Sequence, residues 1–273
     1  MSKRKNAEGF RPETARRKLE KLRGLLGNMD KTAVALSGGA DSSFLAAVAA
    51  DVLGRNALAV TVSSPVHPER ETAEARESAR ETGIRHAVVK GGELNLPEFV
   101  KNPPDRCYHC KLYIYGIVRK LAESEGIDAL ADGTNADDLL EDRPGLRAIR
   151  ELGVSTPLAG AGLSKDEIRF LSRELGLSFA DRPAFTCLAT RFPAGTVITA
   201  EGLKAVEAVE GLLLAKGFKN VRARCHGEIV RIEVDENDIG RLCSETVRRA
   251  VSQRALSAGF RYVTIDMQGY RQS

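Results

Sequence analysis

With 273 residues, the chain can bury one large hydrophobic core or two smaller ones, and two are expected here. Hydrophobic residues at 42% and charged residues at 29% are ordinary for a soluble globular protein, and a net charge of +4 permits an anionic substrate without demanding nucleic acid. No apolar run is long enough to span a bilayer, and the first six residues lack the apolar centre of a secretion signal, so a cytoplasmic protein with no membrane partner is expected. The five cysteines are an odd number, which argues against a disulfide framework and for thiol or metal chemistry.

Residues 1–9 read as a charged, weakly ordered start. From Thr14 to Leu26, leucines at 19, 22, 25 and 26 recur at helical spacing and mark a packing helix. A strand at 32–36 runs into Ser37-Gly38-Gly39-Ala40-Asp41-Ser42-Ser43 and a helix at 42–53. Strand, glycine turn and helix start in succession leave several backbone N–H groups and the positive helix end facing one small volume, which suits phosphate. Gly38 and Gly39 allow backbone dihedrals closed to other residues and let an anion approach, while Ser37, Ser42 and Ser43 add hydroxyl donors. Asp41 would repel a bare phosphate and makes sense there as a holder of Mg²⁺. The lysine ending of the Walker loop and the spaced glycines of the dinucleotide fingerprint are both absent.

A continuous apolar run over 57–63 reads as a central parallel strand, ending at Ser63 where main chain is placed to meet an adenine. A charged helix from about 68 to 82 and a strand from Arg85 to Lys90 complete a second strand-helix-strand unit. Such units imply a parallel sheet with helices on both faces and ligands beyond the carboxyl ends of the strands. The next strand, Ile127 to Ala131, leads to Asp132-Gly133-Thr134-Asn135-Ala136-Asp137-Asp138, which is expected to open onto the same crevice. Gly133, Thr134, Asn135 and Asp137 are the nucleotide-contact candidates in this loop; Asp137 and Asp138 suit Mg²⁺ or substrate, although such a loop is equally a good helix cap.

Cys107 and Cys110 stand at the start of a helix, where two thiols at this spacing can ligate one metal. A third sulfur is available from Cys187, in another loop leaving the sheet. Three cysteines holding an iron–sulfur cluster with one open iron is the sharp reading; zinc with His109, a redox dithiol and plain buried thiols stay open beside it. From Thr196 the alternation changes to a helix (200–216), two β runs (220–224 and 228–235), a long charged helix (about 237–258) and a last strand (261–266). Arg222 and Arg224 alternate along one strand and with His226 can receive a phosphate or carboxylate; Arg191 is a further anion candidate. Glu207 and Glu210 read either as surface charge or as reaching the crevice, and Cys225 and Cys243 read as structural. The expected organisation is an α/β parallel-sheet domain over 1–194 and a smaller C-terminal α+β domain over 195–273, for substrate binding or oligomerisation.

The segments at 37–42, 102–111, 133–138, 187–191 and 221–227, with the ending at 266–271, resemble in order and spacing the LarE family of the pyrophosphate-loop ATP pyrophosphatases, and the resemblance covers nearly the whole chain. It implies the adenine nucleotide alpha-hydrolase-like fold and an ATP-dependent sulfur transferase that contributes to a nickel-pincer nucleotide cofactor. Such an enzyme adenylates a carboxylate of pyridinium-3,5-biscarboxylic acid mononucleotide, releases pyrophosphate, and then delivers sulfur. In one branch the cysteine at the place of Cys187 gives up its own sulfur; in another, three cysteines hold a [4Fe-4S] cluster whose open iron carries sulfide. The presence of Cys107 and Cys110 beside Cys187 favours the cluster branch. On this resemblance Cys187, Asp41 and Arg191 are the catalytic candidates, ATP, Mg²⁺ and the cluster are the cofactors, and a homo-oligomer, from dimer to hexamer, is expected. A transfer RNA thiolase is the rival enzyme, disfavoured by the lack of extra zinc-binding cysteine pairs and of a basic RNA-binding appendage. A nucleotide sensor without chemistry would leave Asp41, Asp137 and Cys187 idle, and an amide-forming synthetase lacks a glutamine-hydrolysing domain.

Overall fold

The computed structural model describes residues 10–140, 143–182 and 186–271, so the expectation for residues 1–9 lies outside the described residues. Two compact units divide the chain: the first comprises 1–63, 69–91 and 107–185, the second 64–68, 92–106 and 186–273.

The first unit is a parallel sheet of β1 (Thr32–Ala35), β2 (Ala57–Ser63), β3 (Arg85–Lys90) and β4 (Ala129–Ala131), in the order β3-β2-β1-β4. All its pairings are parallel, with Ala33 beside Leu58 and Leu130. Because side chains alternate across a strand, β1, β2 and β4 each feed two cores. Val34 and Ala59 join one core with α1 (Pro12–Gly27) and α2 (Ala40–Leu53), while Ala33, Leu58, Val60 and Leu130 join the other. Helix α3 (Glu69–Thr82) connects β2 to β3. Its Ala75 and Ala79 face the first core and its charged positions stay outside it. β4 is shorter than expected, because Ile127 N is still bonded to the Ala122 carbonyl of the preceding helix, at 2.9 Å, and strand pairing begins only at Ala129.

In the second unit a short helix, α4 (Pro97–Val100), precedes the part of the chain that returns to the first unit as α5 (Arg106–Ser124). After β4, the first unit adds α6 (Pro144–Glu151), α7 (Pro157–Ala161) and α8 (Lys165–Glu174), three helices that strand alternation alone did not mark out. Ser164 starts α8 with a reciprocal capping box to Glu167, satisfying two otherwise orphaned N–H groups.

The rest of the second unit carries α9 (Ala200–Ala215), β5 (Val221–His226), β6 (Ile229–Val234), α10 (Ile239–Leu242), α11 (Glu245–Ser257) and β7 (Tyr262–Ile265). Its sheet runs β5-β6-β7, antiparallel then parallel. The expected single charged helix over 237–258 is broken at Cys243 and Ser244, which separate α10 from α11. Hydrogen bonds explain why two early stretches belong to this unit. Buried Asn102 donates to the Pro193 carbonyl at 2.8 Å and its own carbonyl accepts from Gly195 N, while Leu188 N reaches the Val66 carbonyl at 2.9 Å. No helix among the described residues is long and apolar enough to cross a membrane.

Candidate functional site

Parallel pairing places the ends of β1, β2 and β4 at one edge of the first sheet, and with them the Ser37 turn, Ser63 and the loop beginning at Asp132. Gly38 has φ +84°, and a Cβ there would meet the Glu71 carbonyl of α3 at 2.6 Å, so only glycine brings the turn this close to α3. Gly39 is the N-cap of α2 and supplies no side-chain acceptor, which leaves the first-turn N–H groups directed at an incoming anion. Ser37 and Ser42 pair through their hydroxyls at 2.9 Å, and Ser42 Oγ also donates to the Gly39 carbonyl. Ser43 has a different task from the one expected: it is fully buried, and its hydroxyl donates to Ser78 of α3 at 3.0 Å.

The loop after β4 packs on the first turn of α2. A Cβ at Gly133 would stand 2.9 Å from Ser42 N and Cα. Asn135 donates to Asp41 Oδ2 at 3.0 Å and accepts from the N–H groups of Asp137 and Asp138. Asp137 accepts the Lys165 N–H at the start of α8, and Asp138 pairs with Lys165 Nζ at 3.0 Å. Burial, reinforced by the charge of Asp138, raises the Asp41 carboxyl above its ordinary range against the opposing Asn135 hydrogen bond. A partly desolvated carboxylate beside a carboxamide and a second carboxylate is a donor set suited to a hard divalent cation. Ser63 is half-buried at the end of β2, its carbonyl accepting from Gly91 N at 2.8 Å.

Sequence reading missed what holds this loop. Asp132 is buried, accepts hydrogen bonds from Tyr115, from the Thr134 hydroxyl and from Thr134 N at 2.8 Å, and pairs with Lys111 at 3.2 Å. Lys111 and Tyr115 lie on α5, one and five residues after Cys110, so one carboxylate ties the cysteine-bearing helix to the loop after β4. Despite its burial the Asp132 carboxyl is held below the ordinary range, by the Lys111 ammonium and then by the Thr134 and Tyr115 hydroxyls.

Cys107 and Cys110 occupy the first turn of α5, one exposed and one half-exposed, three residues apart on one helical face. Neither is in a disulfide, and both stand near the N-terminus of α5. Among the described residues, no group of three or more His, Cys, Asp or Glu side chains is assembled to hold a metal ion. Two adjacent thiols fit an iron–sulfur cluster in their donor chemistry and would provide two of its ligands.

In the second unit, Cys187 precedes a 3-10 turn over Leu188–Arg191. Arg191, expected to receive an anion, is committed elsewhere. It is 1% exposed and makes a bidentate pair with Glu210 at 2.8 Å, and its Nη1 bonds the Thr186 carbonyl at 2.9 Å and the Cys187 carbonyl at 3.2 Å. Glu210 also accepts the Ala223 N–H, so one buried ion pair joins the cysteine turn, α9 and β5. No pattern in the sequence distinguishes this helical glutamate from a surface one.

Arg224 is likewise engaged, forked onto Glu233 and bonded to the Thr190 carbonyl at 2.9 Å. Arg222 has no carboxylate partner among the described residues; it donates to the Tyr270 hydroxyl at 3.2 Å and lies over that ring. Burial and then the charge of Arg191 lower its affinity for its proton, a state that a bound anion relieves. His226, at the end of the same strand, is held below its ordinary value by burial and then by Arg231 and Arg224. The structure thus gathers Cys187, Arg191, Arg222 and Arg224 in one unit.

The asparagine synthase family matches residues 29–140, the span of the phosphate turn and the loop after β4. The chain is 40% identical over 254 residues to an uncharacterised protein of Synechocystis sp., covering 93% of this chain and 95% of that one. It is 36% identical over 247 residues to the pyridinium-3,5-bisthiocarboxylic acid mononucleotide synthase of Lactiplantibacillus plantarum, covering 90% and 89%. A further likeness, 32% over 241 residues, is to an uncharacterised protein of Methanocaldococcus jannaschii, covering 88% of this chain and 91% of that one.

Proposed function

This chain belongs to the LarE family of ATP-dependent sulfur-transferring enzymes, and from that we propose that it thiolates a pyridinium biscarboxylate mononucleotide during nickel-pincer cofactor biosynthesis. A carboxylate is a poor acyl donor because it has no good leaving group, so the reaction first joins its oxygen to AMP and expels pyrophosphate; sulfide then displaces AMP to leave a thiocarboxylate. The observation that carries this reading is the phosphate turn, with an uncapped helix start, a desolvated Asp41 and the Gly133 loop packed on one side. Its N–H groups and the Ser37 and Ser42 hydroxyls are suited to hold the departing pyrophosphate, where stabilised charge lowers the barrier most.

Mg²⁺ would be held by Asp41, with Asn135 and Asp138 near it, and would neutralise charge on the phosphates. Ser63, Gly133, Thr134, Asn135 and Asp137 are assigned to the nucleotide, and Arg222 and His226 to the substrate anion, while Arg224, engaged by Glu233, acts by holding the Thr190 carbonyl of the cysteine turn. Arg191 acts by positioning the turn that presents Cys187. A [4Fe-4S] cluster on Cys107, Cys110 and Cys187 would supply a sulfide carrier that can be recharged; support for it comes from the two thiols placed together on α5. The substrate-binding role of the C-terminal unit, assembly as a homo-oligomer and an external sulfur donor belong to the same proposal.

The test is to incubate anaerobically purified protein with ATP, Mg²⁺, sulfide and the pyridinium substrate. AMP and pyrophosphate that depend on the substrate are expected; ADP with orthophosphate would sink the proposal. Iron and acid-labile sulfide are expected to fall in Cys107→Ala, Cys110→Ala and Cys187→Ala alike. Wild-type protein that takes up no iron on reconstitution, and loses sulfur mass at Cys187 after one turnover, would replace the cluster with sacrificial donation.

A further inference from the structure

We infer that Arg182 is a positioning residue for the phosphate turn, one that fixes which way the Gly38–Gly39 peptide faces; this rests on the reading of that turn as the pyrophosphate site. Arg182 follows the last turn of the first unit and its side chain is 12% exposed. Its Nη1 donates to the Gly38 carbonyl at 3.2 Å, the Glu74 carbonyl at 3.1 Å and Ser78 Oγ at 2.6 Å, and its Nη2 donates to the Glu77 carboxylate at 2.7 Å. One guanidinium thus joins α3 to the main chain of the phosphate turn.

The peptide geometry gives this contact its meaning. In a trans peptide the carbonyl and the next N–H point in opposite directions, and no cis bond occurs in the described chain. Holding the Gly38 oxygen against α3 therefore turns the Gly39 N–H away from α3. The acceptor that N–H meets is Ser37 Oγ at 3.4 Å, a long contact that an anion readily displaces. A peptide between two glycines is also the easiest kind to rotate, since neither residue has a Cβ to oppose it. Rotated by half a turn, it would present an oxygen to the phosphate in place of a donor. The Arg182 charge on the carbonyl opposes that rotation, and its fork reaches main chain and carboxylate together, which a lysine ammonium does less well.

Calorimetry on the full chain with Mg²⁺ tests this by comparing pyrophosphate, ATP and AMP as ligands of wild type, Arg182→Ala and Arg182→Lys. Arg182→Ala is expected to weaken pyrophosphate and ATP by roughly tenfold, the usual effect of losing one charge-assisted contact, while AMP stays within about twofold. Arg182→Lys should recover part of the loss. A residue that merely packs α3 would weaken AMP and pyrophosphate equally, or shift only the melting temperature, and either result overturns the inference. If Arg182→Ala does not fold, Arg182→Lys decides by the same comparison, a selective pyrophosphate loss supporting the role and an equal loss refuting it. Wild-type protein that binds no pyrophosphate would overturn the reading of the turn itself, and this inference with it.

Discussion

Replacing Glu210 with alanine should cost about 3–5 kcal/mol of stability, the usual consequence of leaving a buried charge without its partner. Both partners are almost wholly desolvated, with side chains 1% and 4% exposed, and the pair is bidentate at 2.8 Å. The Ala223 N–H loses its acceptor at the same time. For a chain of this size the loss corresponds to a fall in melting temperature of roughly 6–20 °C. Urea unfolding followed by circular dichroism measures it, and alkylation of Cys187 read by peptide mass spectrometry reports the turn that Arg191 holds. Cys187 should label faster in the variant, because the Thr186 and Cys187 carbonyls lose a fixed donor. The double variant Arg191→Met with Glu210→Leu should regain most of the stability, since an apolar pair carries no desolvation penalty, yet keep the faster labelling. A Glu210→Ala loss below about 1 kcal/mol, the scale of an exposed pair, would refute the claim that this is a desolvated tie.

Two glycines predict opposite outcomes. Gly38→Ala must adopt φ +84° and drive a methyl into the Glu71 carbonyl and Ala75 N, so a loss of about 2 kcal/mol or more and a weaker ATP interaction are expected by melting and titration. Gly24→Ala, in α1 with open space around it, should instead gain about 0.5–1 kcal/mol. Asp41→Asn should raise the melting temperature of the ligand-free protein at pH 7 by roughly 2 °C while abolishing its stabilisation by Mg²⁺ and ATP. The sign follows from the raised carboxyl: its stabilising contribution is present below the unfolded-state value and is lost as pH rises through the folded one. The difference between variant and wild type should therefore shrink toward low pH, and a difference independent of pH would contradict the assignment.

Much of the first unit was legible because its signals are local. The apolar run at 57–63, the glycine turn at 37–43 and the leucine spacing before it each declare an element by composition and period, and all three stand as read. The helices over 144–174 were not legible by strand alternation. α7 has only five residues, and the burial that makes these helices necessary comes from α1, α2 and β4, distant in sequence. The break between α10 and α11 escaped notice because charge continues across Cys243 and Ser244.

By itself the sequence determined the parallel sheet, the turn built for phosphate, the paired thiols at a helix start and the arginines on one strand, since each depends on residue type and spacing over a few positions. Tertiary structure alone decided which of those groups are still available. Arg191 is spent on Glu210, Ser43 on Ser78 and Arg224 on Glu233, whereas Arg222 forms no close ion pair among the described residues and the Asp41 carboxyl is partly desolvated. It also decided that 64–68 and 92–106 belong with the C-terminal residues. The reason is the same in each case: the partner that satisfies or desolvates a polar group is brought from far along the chain, and no local pattern in a sequence records the meeting.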